Sequence, residues 1–137
     1  MGVITMKARK KASPVPTTHN SLPFTFVPNA DTDARIVQGL ETDVPRIKEY
    51  IHRKRRQMII HSIIYYRMDD NVISDDTWQC WANELAAVQK LYPLHCNIGF
   101  HDELFKGWDG STGMHLDLQE YYGVALEVIR IANSYQK

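Results

Sequence analysis

Four cations follow a histidine in His52-Arg53-Lys54-Arg55-Arg56, and a second basic stretch places Lys7, Arg9, Lys10 and Lys11 near the start of the chain. Such runs can contact phosphates, which makes Arg53, Lys54, Arg55 and Arg56 candidate nucleic-acid contacts. The alternative is a solvated helix face that pairs with acidic residues elsewhere. His95-Cys96, His101-Asp102 and His115 are ligand-type residues at a spacing zinc tolerates. Paired Cys-x-x-Cys spacing is missing, however, and polar loop residues are the simpler reading, so no metal site and no cofactor is expected. Gly107, Gly110 and Gly113 around Ser111 and Thr112 could form an anion-holding turn, but no Lys-Ser/Thr pair follows as a P-loop requires. Trp108 in that loop is either a partner anchor or part of the core. No Ser/His/Asp or Cys/His arrangement reads as a nucleophilic site, and the chain is not expected to be an enzyme.

The elements that must carry these residues are mostly helical. Thr42 or Asp43 can cap a helix in which Pro45 suits the first turn, where its missing N–H would be unpaired anyway. Apolar positions at Val44, Ile47, Ile51, Met58, Ile59, Ile63 and Tyr65/Tyr66 predict that it runs to about Met68, with the basic run interrupting its stripe. Asp69-Asp70-Asn71 reads as a turn. Ser74 then caps a second helix with Asp75 and Asp76 at its positive end. Trp78, Trp81, Leu85, Val88 and Tyr92 form its stripe, which faces the first helix, and Pro93 stops it. Residues 94–116 read as loop with possible short strands. A last helix is expected from Asp117, capped by that side chain with Glu120 completing a capping box. Its core face would be Leu118, Tyr121/Tyr122, Ala125, Val128/Ile129, Ala132 and Tyr135.

Residues 1–42 read as an extended arm, because repeated Pro and hydroxyl residues after the basic patch disfavour a packed helix. Phe24-Thr-Phe-Val27 could add one short alternating strand. Met6 is a possible alternative start, which would leave residues 1–5 without meaning. The fold class expected is therefore mainly α: an arm (1–42) and one small helical domain (43–137), whose first half (43–93) is a helical hairpin.

Composition sets the outer bounds. The chain has 137 residues, 44% hydrophobic and 23% charged, as in an ordinary soluble domain. No apolar run approaches a membrane span, the N-terminal order is the reverse of a secretory signal, and two cysteines suit a reducing cytoplasm. Net charge is zero, yet residues 1–68 carry 12 Lys/Arg against 5 Asp/Glu while residues 69–137 carry 4 against 11. That asymmetry implies either a bipolar surface, suited to a partner or to self-association, or ion pairs between the halves.

The stretch Tyr65-Tyr66-Arg-Met-Asp69-Asp-Asn-Val-Ile73-Ser74-Asp75-Asp-Thr-Trp78, continued by Glu84-Leu85 and Tyr92-Pro93, resembles the N-terminal module of NAD-dependent DNA ligases. The likeness covers roughly a third of the chain. In that family the module closes over the nicotinamide nucleotide, since a flat cationic ring favours aromatic faces and carboxylates. The resemblance implies a nicotinamide-nucleotide site at Tyr65, Tyr66, Asp75 and Trp78. Tyr66 stands where the family has His, Trp78 replaces Tyr, and Gln79 replaces a second Asp. Ligation also needs a Lys-x-Asp-Gly motif to attack a phosphate. Here Lys106-Gly-Trp-Asp109-Gly110 has one residue too many, and no nucleotidyltransferase domain has room. A lone hairpin would moreover offer a ligand only one wall.

The 105–116 segment also looks like a feature of small ligase-related proteins of phages and mobile elements. The leading expectation is a non-catalytic, phage-encoded binding protein in the host cytoplasm, acting on a host protein or nucleoprotein complex, for example by inhibiting a defence nuclease. The alternatives are a module binding NAD or a nicotinamide nucleotide, and a small nucleic-acid-binding protein. No membrane association is expected, and a homo-oligomer is possible.

Overall fold

The computed structural model describes residues 26–135, and four α-helices make up the domain. α1 (Ala30–Val37) and α2 (Val44–Arg67) are followed by α3 (Asp75–Leu91), and α4 (Tyr122–Ser134) ends the order. Short 3₁₀ turns sit at Pro93–His95 and Gln119–Tyr121. The protein is mainly α, with no strand among the described residues. The short strands considered for 94–116 are therefore loop. Residues 1–25, with the basic patch and half of the alternating stretch, lie outside the described residues.

α1 corrects the reading of 1–42 as an arm throughout. Asn29 Oδ1 accepts from Thr32 N at 2.8 Å, and Asp31 and Asp33 occupy the first turn. Gly39, at φ +78°, ends the helix in a Schellman-type turn: its N–H donates to Ile36 O and Leu40 N–H to Arg35 O. Between these caps Ile36 is buried against Ile47, Tyr50 and Ile51 of α2 and Val88 of α3.

α2 and α3 form the expected hairpin. Asp43 stands at the N-cap of α2 without a side-chain bond; Glu41 Oε2 instead accepts from Thr42 N and Asp43 N at 3.2 and 3.0 Å. Ser74 caps α3 as expected, accepting from Thr77 N at 3.0 Å. Leu85 and Val88 are fully buried, and the half-buried Trp81 meets His61 of α2 edge-on at 5.4 Å. A second cluster gathers Met58, Ile59, Ile63 and Ile64 of α2 with Ala82, Leu85, Phe105 and Trp108.

α4 begins four residues later than the capping box predicts. Asp117 is engaged elsewhere: it accepts from the Tyr122 hydroxyl and pairs with Arg67 Nε at 2.8 Å. The chain enters the helix through the 3₁₀ turn, which has no side-chain cap. Ala125 is buried, whereas Tyr135 at the far end is 83% exposed and not part of the core face.

Arg55 is the unexpected member of the interior. Only 1% exposed, it donates to Phe100 O at 2.7 Å, Cys96 O at 2.9 Å, Gln89 Oε1 at 3.0 Å and Asp102 Oδ1 at 2.6 Å. Asp102 in turn accepts from Ile98 N and Gly99 N. One guanidinium thus organises the whole 96–102 loop. With Arg67–Asp117, this pair also ties the basic half of the chain to the acidic half.

Candidate functional site

Tyr65, Tyr66, Asp75 and Trp78 all line one cleft of about 170 Å³. Its walls are the last turns of α2, the 68–74 turn and the first turn of α3, so the helical hairpin by itself brings the four together. The Tyr65 and Tyr66 rings meet edge to face with centroids 4.8 Å apart. Both are substantially exposed, at 47% and 37%. Trp78 Nε1 donates to the buried Ser62 Oγ at 3.2 Å, which fixes the indole plane against α2. Asp70, Val72, Ile73 and Ser74 complete the turn side.

The opposite side comes from the 107–113 loop. Ser111 reaches the cleft, and Gln79 joins loop to helix: its Nε2 donates to Gly110 O at 2.9 Å and to Asn83 Oδ1 at 3.0 Å. Trp108 Nε1 donates to Ala82 O at 3.0 Å, and the ring is in the core rather than presented to a partner. Thr112 Oγ1 lies within 3.5 Å of the Tyr66 hydroxyl. Gly113 seats the loop so closely that an added Cβ would stand 2.2 Å from Ser62 Oγ and 3.0 Å from Trp78 Cζ2. Ser111 is the residue of the 107–113 loop that lines the cleft, and it is what the described chain adds toward a second wall beside the hairpin. Gln79, at the position of the missing carboxylate, holds that wall in place.

His61 and Asp70 are lining residues that the sequence reading left out. His61 lies four residues before Tyr65, the spacing that puts two side chains on one helix face, and this was its available signal. Burial pushes its imidazole down to about 4, so it is neutral at neutral pH. Among the described residues no Lys or Arg lines the cleft, while Asp70 and Asp75 do.

The basic run divides among different environments. Arg55 is buried with four acceptors, as above. Arg53 is held by Asp33 through both terminal nitrogens and by Glu49 at 2.8 Å. Lys54 lies over the Tyr50 and Trp81 rings, each at 5.5 Å. Arg56 alone lies along a shallow surface cleft, with His52, His101 and Tyr121. The four were expected to offer cations on one helix segment; Arg55 does not belong to that surface and Arg53 is already neutralised.

The residues weighed as zinc ligands also have other partners. Cys96 Sγ donates to backbone carbonyls of α3 and its end, His101 Nε2 lies 2.9 Å from the Tyr121 hydroxyl, and Asp102 pairs with Arg55. Among the described residues no group of three His, Cys, Asp or Glu is placed to hold a metal. No described helix is long and apolar enough to cross a membrane. Asp109 Oδ1 accepts from Ser111 N at 2.9 Å, so the glycine-rich loop spends its carboxylate on its own backbone.

No protein-family model, no curated protein and no solved structure matches the chain. The resemblance to the ligase module therefore rests on the residues of the hairpin.

Proposed function

We propose that this chain is a non-catalytic binding protein whose cleft receives a flat, positively charged aromatic ring of the nicotinamide kind. The observation that carries the reading is convergence: Tyr65, Tyr66, Asp75 and Trp78, separated by up to thirteen positions, line a single cleft. Aromatic faces attract a cationic ring, and carboxylates at the rim add charge and accept from sugar hydroxyls. The absence of a Lys-x-Asp-Gly motif argues against ligation, and Lys106 is exposed on the loop away from the lining residues. The 170 Å³ volume is below the roughly 300–1,000 Å³ of drug-sized pockets, so it suits a ring better than a dinucleotide.

Calorimetry with 1-methylnicotinamide, the smallest such cation, tests this. Saturable binding with a dissociation constant of about 0.1–1 mM is expected, or about −4 to −5.5 kcal/mol. Asp75→Ala and Trp78→Ala should each weaken it at least severalfold. No saturable heat at millimolar ligand would refute the reading. A protein partner is the second reading, favoured by the exposed Leu40, Leu91 and Leu94 near the α1–α2 turn. Gly39 adjoins the Leu91 side chain there.

A further inference from the structure

Among the described residues, the charged side chains lining the cleft carry one sign. Thirteen of the described residues line it, and Asp70 and Asp75 are the carboxylates among them. His61, the one basic lining residue, is kept neutral by burial. The cation next in sequence to the two tyrosines, Arg67, does not line the cleft and is bonded to Asp117. At the start of α3 Ser74 Oγ accepts from Thr77 N and Ser74 O from Trp78 N, and the Asp75 and Asp76 carboxylates beside the first two amides repel an anion that approaches them. On the tyrosine side the residues open to a ligand's tail are the uncharged Tyr65 and Tyr66, the latter with its hydroxyl turned toward Thr112. On the loop side Ser111 and Gln79 are also neutral, and Gln79 Nε2 is occupied by Gly110 O.

A phosphate attached to the bound ring would thus stand near two carboxylates, with no Lys or Arg among the described lining residues to meet it. Like charges a few ångström apart in a partly enclosed site repel strongly, and burying an unpaired charge adds to that cost. Uncharged hydroxyls meet the opposite situation: carboxylates, Ser111 and Asn71 are good partners for a diol.

We propose, building on the reading above, that the cleft selects the unphosphorylated nucleoside form of a cationic ring and discriminates against its phosphorylated forms. The ligand class is a planar, positively charged heteroaromatic ring bearing a neutral, hydroxyl-rich substituent. Selectivity is electrostatic, set by Asp70 and Asp75.

The test is calorimetry on the full chain with nicotinamide riboside, nicotinamide mononucleotide and 1-methylnicotinamide under identical buffer and salt. The riboside should bind at least as tightly as 1-methylnicotinamide, and the mononucleotide about tenfold more weakly than the riboside. Raising the salt should narrow the gap between riboside and mononucleotide, because screening weakens repulsion near the surface. Asp75→Asn, exposed and at the first position of α3, should narrow it as well. Asn71→Lys, which adds a cation to an exposed turn at the rim, should bring the mononucleotide up to the riboside. Equal or tighter binding of the mononucleotide by the unaltered protein overturns the proposal and leaves the ring-binding reading standing. Failure of all three cations to bind overturns both. A riboside preference unmoved by salt, Asp75→Asn and Asn71→Lys overturns the electrostatic basis.

Discussion

Replacing Arg55 by Met should be one of the most damaging single changes in this protein, although its place in a basic run suggests a tolerant surface. Methionine can follow the arginine stem through the core, so the apolar packing is largely kept. What is lost is the guanidinium that serves Phe100 O, Cys96 O, Gln89 Oε1 and Asp102 together. Each buried acceptor left without a donor costs about 1–3 kcal/mol. Asp102 suffers less, because its side chain is 27% exposed and keeps the Ile98 and Gly99 amides. The expected loss is about 3–5 kcal/mol, the range for breaking a buried ion pair by removing one partner. Against a typical stability of about 5–15 kcal/mol that is a large fraction. Urea unfolding should show the midpoint falling with the slope unchanged, and the melting temperature should fall by roughly 10–20 °C. Amide exchange at Ile98 and Gly99 should accelerate more than exchange within α3. A loss below about 1 kcal/mol would falsify the reasoning, since water must then reach the 96–102 carbonyls. A nucleic-acid test on this protein should accordingly change Lys54 and Arg56 and leave Arg55 alone.

Gly113→Ala places a Cβ 2.2 Å from Ser62 Oγ, so the loop or the Trp78 ring must move. We expect about 1–3 kcal/mol of destabilisation, a shifted tryptophan emission and loss of 1-methylnicotinamide binding in calorimetry. Leu85→Ala should cost about 2–5 kcal/mol by urea unfolding, and Trp81→Ala less, because Leu85 is fully buried and Trp81 only half. Burial lowers both His52 and His61 from the ordinary 6.5 to about 4. The folded state therefore favours their neutral forms, and that contribution is complete above about pH 6.5. It should be lost progressively as pH falls toward 4, on the order of 3 kcal/mol for each ring. Urea midpoints measured across that interval should flatten in His61→Gln; an unchanged slope with pH would place the ring in water.

The hairpin was legible because its signals agree with one another: a Ser cap, acidic residues in the first turn and an uninterrupted apolar stripe on α3. The convergence of Tyr65 and Asp75 follows from that geometry once the turn length is known. α1 was overlooked although Asn29 and Gly39 are sound start and stop signals. Its eight residues bury little apolar surface besides Ile36, and the Pro-rich stretch before them dominated the reading. Arg55 was misplaced for a different reason. It sits four residues after Ile51 and three before Met58, squarely on the buried stripe, yet a basic residue at such a position reads as an interruption. Two of its acceptors are backbone carbonyls more than forty residues away, and nothing local announces them. The second wall of the cleft was invisible likewise, since a glycine chosen for closeness to Ser62 looks the same as one chosen for a turn.

Closeness at Gly113 also bears on when the cleft comes into being. The α2–α3 hairpin joins segments adjacent in the chain, and contacts of that kind form early at small entropic cost. Thr112 must instead return to Tyr66 across 46 positions, and Gly110 to Gln79 across 31. The aromatic half of the cleft can thus exist in a partly folded chain, whereas the enclosed form waits for long-range closure. Any ligand that needs both walls will bind only the finished protein and will slow the opening of the 107–113 loop. Exchange at the Trp108 indole N–H, which donates to Ala82 O across 26 positions, becomes a clock for that closure, readable with no ligand in hand.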